Sequence, residues 1–260
     1  MIHQVETISL GGRMADNALF LFLTEPGREI EIAYRIWLLR SSQGMVLVDT
    51  GPPVQEGQRR GIKGLRDVGE ALSAHGVDPA SIRTVILTHL HWDHAANADR
   101  FPNATFHVQR DEIEFFRSRR REHPSINRFY SHHAVLNDLI ASDRAVALDG
   151  DCEIVPGIRV LRVGGHTPGS QMVAVDTEEG LVVLTGDAVP LNRNLLDNIP
   201  SGIVTDTMQA IDALERVRSL NPVAVYTGHD LEACLRLHAG RFPAETHVPS
   251  FEPSRRSTHN

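Results

Sequence analysis

The stretch Thr88-His89-Leu90-His91-Trp92-Asp93-His94 places three imidazoles and a carboxylate within the six residues 89–94. It follows Thr84-Val85-Ile86-Leu87, a short apolar run that predicts a buried strand over 83–87. A strand end that delivers this many ligand-type side chains to one place is built to hold metal. Histidine is abundant throughout, 14 in 260 residues, so the question is which others converge there.

Further candidates recur at predicted strand ends. His166 lies in Gly164-Gly165-His166-Thr167-Pro168-Gly169, after a strand at 158–163. Asp187 lies in Thr185-Gly186-Asp187, after a strand at 181–185. His229 lies in Thr227-Gly228-His229-Asp230, after a strand at 223–226. His89, His91, Asp93, His94, His166, Asp187 and His229 make seven, too many for one tetrahedral zinc ion. The set suits two ions sharing a bridging carboxylate. Imidazole and carboxylate suit zinc, and also iron, manganese or cobalt. No cysteine stands at these positions, which argues against a structural thiolate site. Asp49, after the strand at 45–48, is either a turn residue or a group that orients a ligand imidazole. His107, His132, His133, His238 and His247 are expected on the surface or on helices.

Working outward, 18–23 and 31–40 read as strands, and 52–63 as loop. Residues 65–75 read as an amphipathic helix stopped by Gly76, and 105–108 as a strand. Residues 110–120 and 126–141 read as charged helices. Short strands follow near 145–148, 152–155, 158–163, 171–176 and 181–185. A helix over 205–219 carries Met208, Ile211, Leu214, Val217 and Leu220 on one face. The pattern is α/β with more than one sheet, in a single domain over 1–260 with a polar tail at 243–260.

The net charge of −7 and pI near 6.0 argue against nucleic acid or an anionic membrane as partner. Arg117, Arg119, Arg120 and Arg121 read as a solvated helix face. No apolar run approaches the roughly 20 residues of a membrane span. The first residues lack the basic start and apolar stretch of a signal peptide. Cys152 and Cys234 read as reduced thiols of a cytoplasmic protein, monomer or homodimer, acting on a small molecule.

His89-x-His91-x-Asp93-His94, with His166, Asp187, His229 and Val48-Asp49-Thr50-Gly51, resembles the metallo-β-lactamase superfamily from about residue 30 to about 230. The resemblance implies an αββα sandwich, two mixed sheets face to face with helices outside and metals at one edge. Three stretches resemble the N-acyl-homoserine lactonase branch: His107-Val108-Gln109-Arg110, Val155-Pro156-Gly157 with the strand to His166, and Tyr226-Thr227-Gly228-His229-Asp230. The ligand set this implies is His89, His91 and His166 on one Zn(II), Asp93, His94 and His229 on another, and Asp187 bridging. The implied reaction is lactone opening by a metal-bridging hydroxide, with Asp93 moving the proton.

The chain departs from that branch at Pro190, where a tyrosine is common, and in a shorter loop after Gly51. It also departs in the charged segment 117–142, expected to form a wall of the pocket. Trp92, Met14, Leu19, Phe20 and Pro190 are candidate pocket residues, and Tyr34 and Tyr130 candidate donors. Competing readings are hydrolysis of another ester, a thioester of the glyoxalase II type or a cyclic amide. An iron-dependent persulfide dioxygenase, a nuclease and a non-catalytic binding protein are further alternatives.

Overall fold

Val46, Leu47 and Val48 point alternately to two different cores, and that alternation generates the architecture. In the computed structural model, which describes residues 1–237 and Phe242, they belong to β3 (Gly44–Val48). Val46 and Val48 pack with Trp37, Leu39 and Ile86 against Ile158, Val160, Val173, Val175, Val182 and Leu184 of a second sheet. Leu47 faces the other way, into a layer of helices. Period-two alternation with both faces apolar is what a sheet buried on both sides requires.

The first sheet runs β1 (Gln4–Asp16), β2 (Glu29–Ser41), β3, β4 (Thr84–Ile86), β5 (Thr105–Gln109) and β6 (Ala145–Leu148). It is antiparallel up to β3 and parallel from there. The second sheet runs β7 (Cys152–Val155), β8 (Ile158–Arg162), β9 (Gln171–Thr177), β10 (Gly180–Leu184), β11 (Ala224–Tyr226) and β12 (Cys234–Arg236). Only its β10–β11 pair is parallel. Short helices α1 (Val54–Arg59), α2 (Val68–Ala74), α3 (Trp92–Ala95), α4 (Arg110–Arg117), α5 (Pro124–Asn127) and α6 (His133–Ala141) follow strands of the first sheet. Helices α2, α4 and α6 cover its outer face through Leu72, Ile113, Phe116, Leu136 and Leu139. After β10 come α7 (Asn192–Leu196) and α8 (Thr207–Ser219), and α8 covers the outer face of the second sheet through Ala213, Leu214 and Val217. The expected αββα sandwich is the observed fold.

Several local expectations are corrected. Residues 18–23 are not a strand: a single 3-10 turn, Asn17–Leu19, begins a loop that Asp16 closes by accepting from Ala18 and Gly27 amides. The missing strand is β1, whose apolar signal is interrupted at Gly11-Gly12 and rescued by pairing along β2. The stretch 52–63 contains α1. The helix expected from 65 begins at Val68, because Asp67 caps it by accepting from Gly69 and Glu70 amides. The helix expected over 126–141 is two, broken where His132 takes a left-handed φ of 55°.

In α8 the buried face is Ala210, Ala213, Leu214 and Val217, while Met208 is 66% exposed and Ile211 37%. A strict three-residue spacing drifts about 60° around a 3.6-residue helix at each step, so the first members rotate off the core. His107, expected at the surface or on a helix, is a half-buried residue of β5. The tail at 243–260, with His247, and His238 lie outside the described residues. Among the described residues no helix is long and apolar enough to cross a membrane.

Candidate metal centre

All seven expected side chains meet at one edge of the sandwich, each delivered by a turn that leaves a strand. The turn after β4 carries His89 and His91 and runs into α3, which holds Asp93 and His94. The turns after β8, β10 and β11 bring His166, Asp187 and His229. Two groups result: His89, His91, His166 and Asp187 form one, and Asp93, His94 and His229 the other. The ligand atoms within each lie within 4.8 Å of one another, and all seven side chains are buried.

Asp187 joins the groups. Its Oδ1 is 3.2 Å from His94 Nε2 and 3.0 Å from His229 Nε2, and its Oδ2 is 3.5 Å from His166 Nε2. Asp93 Oδ2 stands 3.6 Å from both His94 Nε2 and His229 Nε2. The close approach depends on Gly228, where an added Cβ would meet Asp187 Oδ1 and the Gly186 carbonyl at 2.7 Å.

The imidazoles are held from behind. His94 Nδ1 lies 2.7 Å from Asp49 Oδ2, His166 Nδ1 2.6 Å from the Ile203 carbonyl, and His229 Nδ1 2.8 Å from the Ala33 carbonyl. His89 Nδ1 lies 3.1 Å from Thr88 Oγ1, whose own hydroxyl donates to Asp49 Oδ2 at 2.9 Å. Carbonyl and carboxylate acceptors require the Nδ1–H tautomer, which leaves each Nε2 lone pair facing the site. His166 Nε2 is thus 3.2 Å from His89 Nε2 and 3.0 Å from His91 Nδ1. His166 Nε2 and His89 Nε2, both left as acceptors, face each other at 3.2 Å, an arrangement that a cation between them would satisfy. His94 Nε2 and Asp187 Oδ1, buried and unpartnered by any aligned hydrogen bond, give the same indication for the second group. Such anchoring behind the ligands is what a metal site needs. Asp49 is left-handed, with φ 63°, and also accepts from the Thr88 amide at 2.7 Å, so its carboxylate braces His94 directly and His89 through Thr88.

The two groups differ electrostatically. Burial, reinforced by neighbouring imidazoles, holds His89 and His91 well below the ordinary imidazole range, and burial also lowers His166. Burial acts the same way on His94 and His229, but the carboxylates outweigh it: Asp187, Asp93 and Asp49 raise His94, and Asp187 and Asp93 raise His229. Raised values keep the proton to higher pH, and a ligating imidazole must give it up. Affinity at the Asp93–His94–His229 group is therefore expected to go on climbing as pH rises above the ordinary imidazole value of about 6.5. Affinity at the other group should change less. Chelator competition across that range reads both; equal slopes would contradict the assignment.

Other expected residues fall elsewhere. A cavity of about 210 Å³ adjoins His91 and His166, walled by Leu19, Phe115, Ile126, Phe129, Tyr130 and the loop 202–205. The 117–142 segment does line it, and so does Leu19, but Trp92, Met14, Phe20 and Pro190 do not. Trp92 packs in the core between Tyr34 and the Arg60 guanidinium, which lies 4.5 Å over its ring. Met14 sits on β1, 45% exposed. Phe20 meets the His229 ring edge-on at 5.5 Å, and the Pro190 carbonyl accepts from the His229 amide at 2.7 Å. Tyr34 also stands edge-on to His229, its hydroxyl accepting from Arg13 Nε at 2.8 Å, and burial, then Asp93, raises its phenol. Tyr130 meets the His91 ring at 4.9 Å. Sequence reasoning missed Thr88, although it stands inside the motif, and Glu112, which gave no signal on a charged helix.

Comparison with known proteins agrees with this geometry. The family model of the metallo-beta-lactamase superfamily matches residues 33–229. The chain belongs to that superfamily, and its site is a dinuclear metal site. Its likeness to the lactonase branch is also borne out. It is 29% identical over 242 residues to an N-acyl homoserine lactonase of Bacillus thuringiensis, covering 86% of this chain and 92% of that one. It is 27% identical over 230 residues to the N-acyl homoserine lactonase AttM of Azorhizobium caulinodans, covering 80% and 85%. Among solved structures, an N-acyl homoserine lactone hydrolase with the product N-hexanoyl-L-homoserine at its catalytic metal center superposes with a TM-score of 0.76. It shares 29% identity, with 89% of this chain and 95% of that one covered.

Proposed function

We propose that the chain is a two-metal hydrolase that opens the ring of N-acyl-homoserine lactones, the reaction that quenches quorum signals. The observation that carries this is the complete seven-residue centre, with its buried braces, on a chain that matches lactonases over most of their length. His89, His91 and His166 would hold one ion, Asp93, His94 and His229 the other, and Asp187 both. When bound, such ions supply Lewis acidity and bring the pKa of water from about 15.7 to about 7.

The protein's own groups do the rest. The tautomers set by Asp49, Thr88, Ile203 and Ala33 hold the ligands without reorganisation. Asp93 takes up a proton and passes it to the leaving alkoxide. The cavity beside His91 and His166 receives the acyl arm. Zinc is the proposed metal, with iron, manganese and cobalt compatible with the same donors. The unpaired Cys152 and Cys234 fit a reducing compartment, and we place the enzyme in the cytoplasm.

The proline at 190 removes a side-chain donor beside the centre and favours one second reading, in which the same centre hydrolyses another ester, a thioester or a cyclic amide. The test is to count metal per chain in the purified protein and follow acid release from an acyl-homoserine lactone series. An aryl ester, a glutathione thioester and a cyclic amide run alongside. Lactone opening that stops on metal removal and returns with zinc is the expected result. Preference for the thioester or amide would replace the substrate assignment, and hydrolysis surviving metal removal would overturn the mechanism.

A further inference from the structure

Glu112 is a carboxylate with no exposure to solvent that takes no part in the ligand set, and it lies where the two loops of the His89–His91–His166 group meet. Its Oε1 accepts from the Leu90 amide at 3.0 Å, between the two histidines of the motif. Its Oε2 accepts from the Gly169 amide at 3.0 Å, three residues beyond His166. Gly169 is pressed so closely onto the first turn of α4 that an added Cβ would meet the Glu112 amide nitrogen at 2.3 Å. A buried carboxyl group is costly unless its hydrogen bonds are satisfied, and the Leu90 and Gly169 amides satisfy this one. The two loops come from different sheets, the first from β4 and the second from β8, and one side chain ties them together. Asp49 serves His94 and His89; neither His91 nor His166 has a side-chain anchor of that kind.

We infer that Glu112 is the positioning residue of the His89–His91–His166 half of the centre, fixing the separation of the two loops so that His91 and His166 close on one ion. The inference rests on the two-metal reading of the site, and not on which substrate it takes. It predicts an asymmetric defect. Glu112→Gln keeps the volume and one carbonyl acceptor, but turns an amide N–H₂ toward the second backbone N–H. Loss of a partner behind a metal ligand commonly costs about 10–100-fold in affinity. One ion per chain should therefore leave the variant for a chelator about 10–100-fold more readily, while the other leaves as in the wild type. Glu114→Gln, at an exposed position of the same helix, is the control and should behave as the wild type.

The experiment titrates Zn(II)- and Co(II)-loaded protein with a chelator, and reads the Co(II) absorption bands for the geometry of the weakened site. Two ions held as tightly as in the wild type, with unchanged bands, would overturn the inference. So would equal weakening of both, which a general loss of packing produces. A wild type that binds no metal would instead defeat the two-metal reading itself. A variant-independent arm covers failure of Glu112→Gln to fold: in metal-free wild-type protein, the Leu90 and Gly169 amides should be strongly protected from hydrogen exchange. Free exchange at both would overturn the inference.

Discussion

Asp187→Asn is expected to lower hydrolysis by roughly 10³-fold and to leave the purified protein short of two ions per chain. Asp187 places a carboxylate oxygen toward each group, Oδ1 to His94 and His229 and Oδ2 toward His166. Burial works against its charge, yet His229 and His94 outweigh burial and hold the carboxyl well below the usual carboxylate range. Asparagine has nearly the same shape, so the turn Gly186–Ala188 should survive, but it replaces one acceptor oxygen with an N–H₂ and removes the charge. Polarisation by a metal is worth several kcal/mol in a transition state, and each 1.36 kcal/mol is tenfold in rate. Loss of one ion from the pair thus accounts for the expected factor. Metal analysis and turnover on the same preparation check it. Two ions per chain with turnover within tenfold of the wild type would show that Asp187 does not join the sites.

The centre was legible because its information is local. A strand followed by His89-x-His91-x-Asp93-His94 fixes its own geometry within one turn. His166, Asp187 and His229 repeat the same strand-then-turn grammar, with Gly228 marking a close approach. Asp49 was half legible: its place after β3 suggested a brace, but only the fold shows that its left-handed backbone aims the carboxylate at His94 and Thr88 together.

The walls were legible only in part, through the 117–142 segment and Leu19, and the rest was hidden for physical reasons. The cavity beside His91 is made where α5 meets the loop 202–205, and neither segment carries a period that announces a face. Trp92 lies inside the motif, yet packs away from the cavity, because the first turn of α3 rotates it under Arg60. Strand β1 was hidden by Gly11-Gly12, whose lost side-chain packing is made good only by pairing with β2. Glu112 looked like any exposed acid on a charged helix. A buried carboxyl is recognised by what surrounds it, and its partners at Leu90 and Gly169 are far away in sequence.

Asp93→Asn should lower kcat by about 10²-fold or more and leave KM little changed, in keeping with the 10²–10⁴-fold contributions of general acid–base groups. The residue is well placed for proton work. It sits in the first turn of α3, beside His94 of the same turn. Its Oδ2 is the oxygen nearest His94 and His229, 3.6 Å from each, which makes Oδ1 the candidate to carry a proton. Asparagine keeps a carbonyl that can still ligate but cannot take up the proton. The chemical step should therefore suffer more than metal binding, and this separates Asp93 from Asp187, whose replacement should cost metal and turnover together. Leaving groups sharpen the test. A lactone of an alcohol that departs as a poor alkoxide needs the proton most, whereas an aryl ester releases a phenolate that needs it little. The variant should thus lose far more activity on lactone than on aryl ester. Equal losses on both, with two ions retained, would assign Asp93 to ligation alone, and near-normal turnover on lactone would remove it from the proton path.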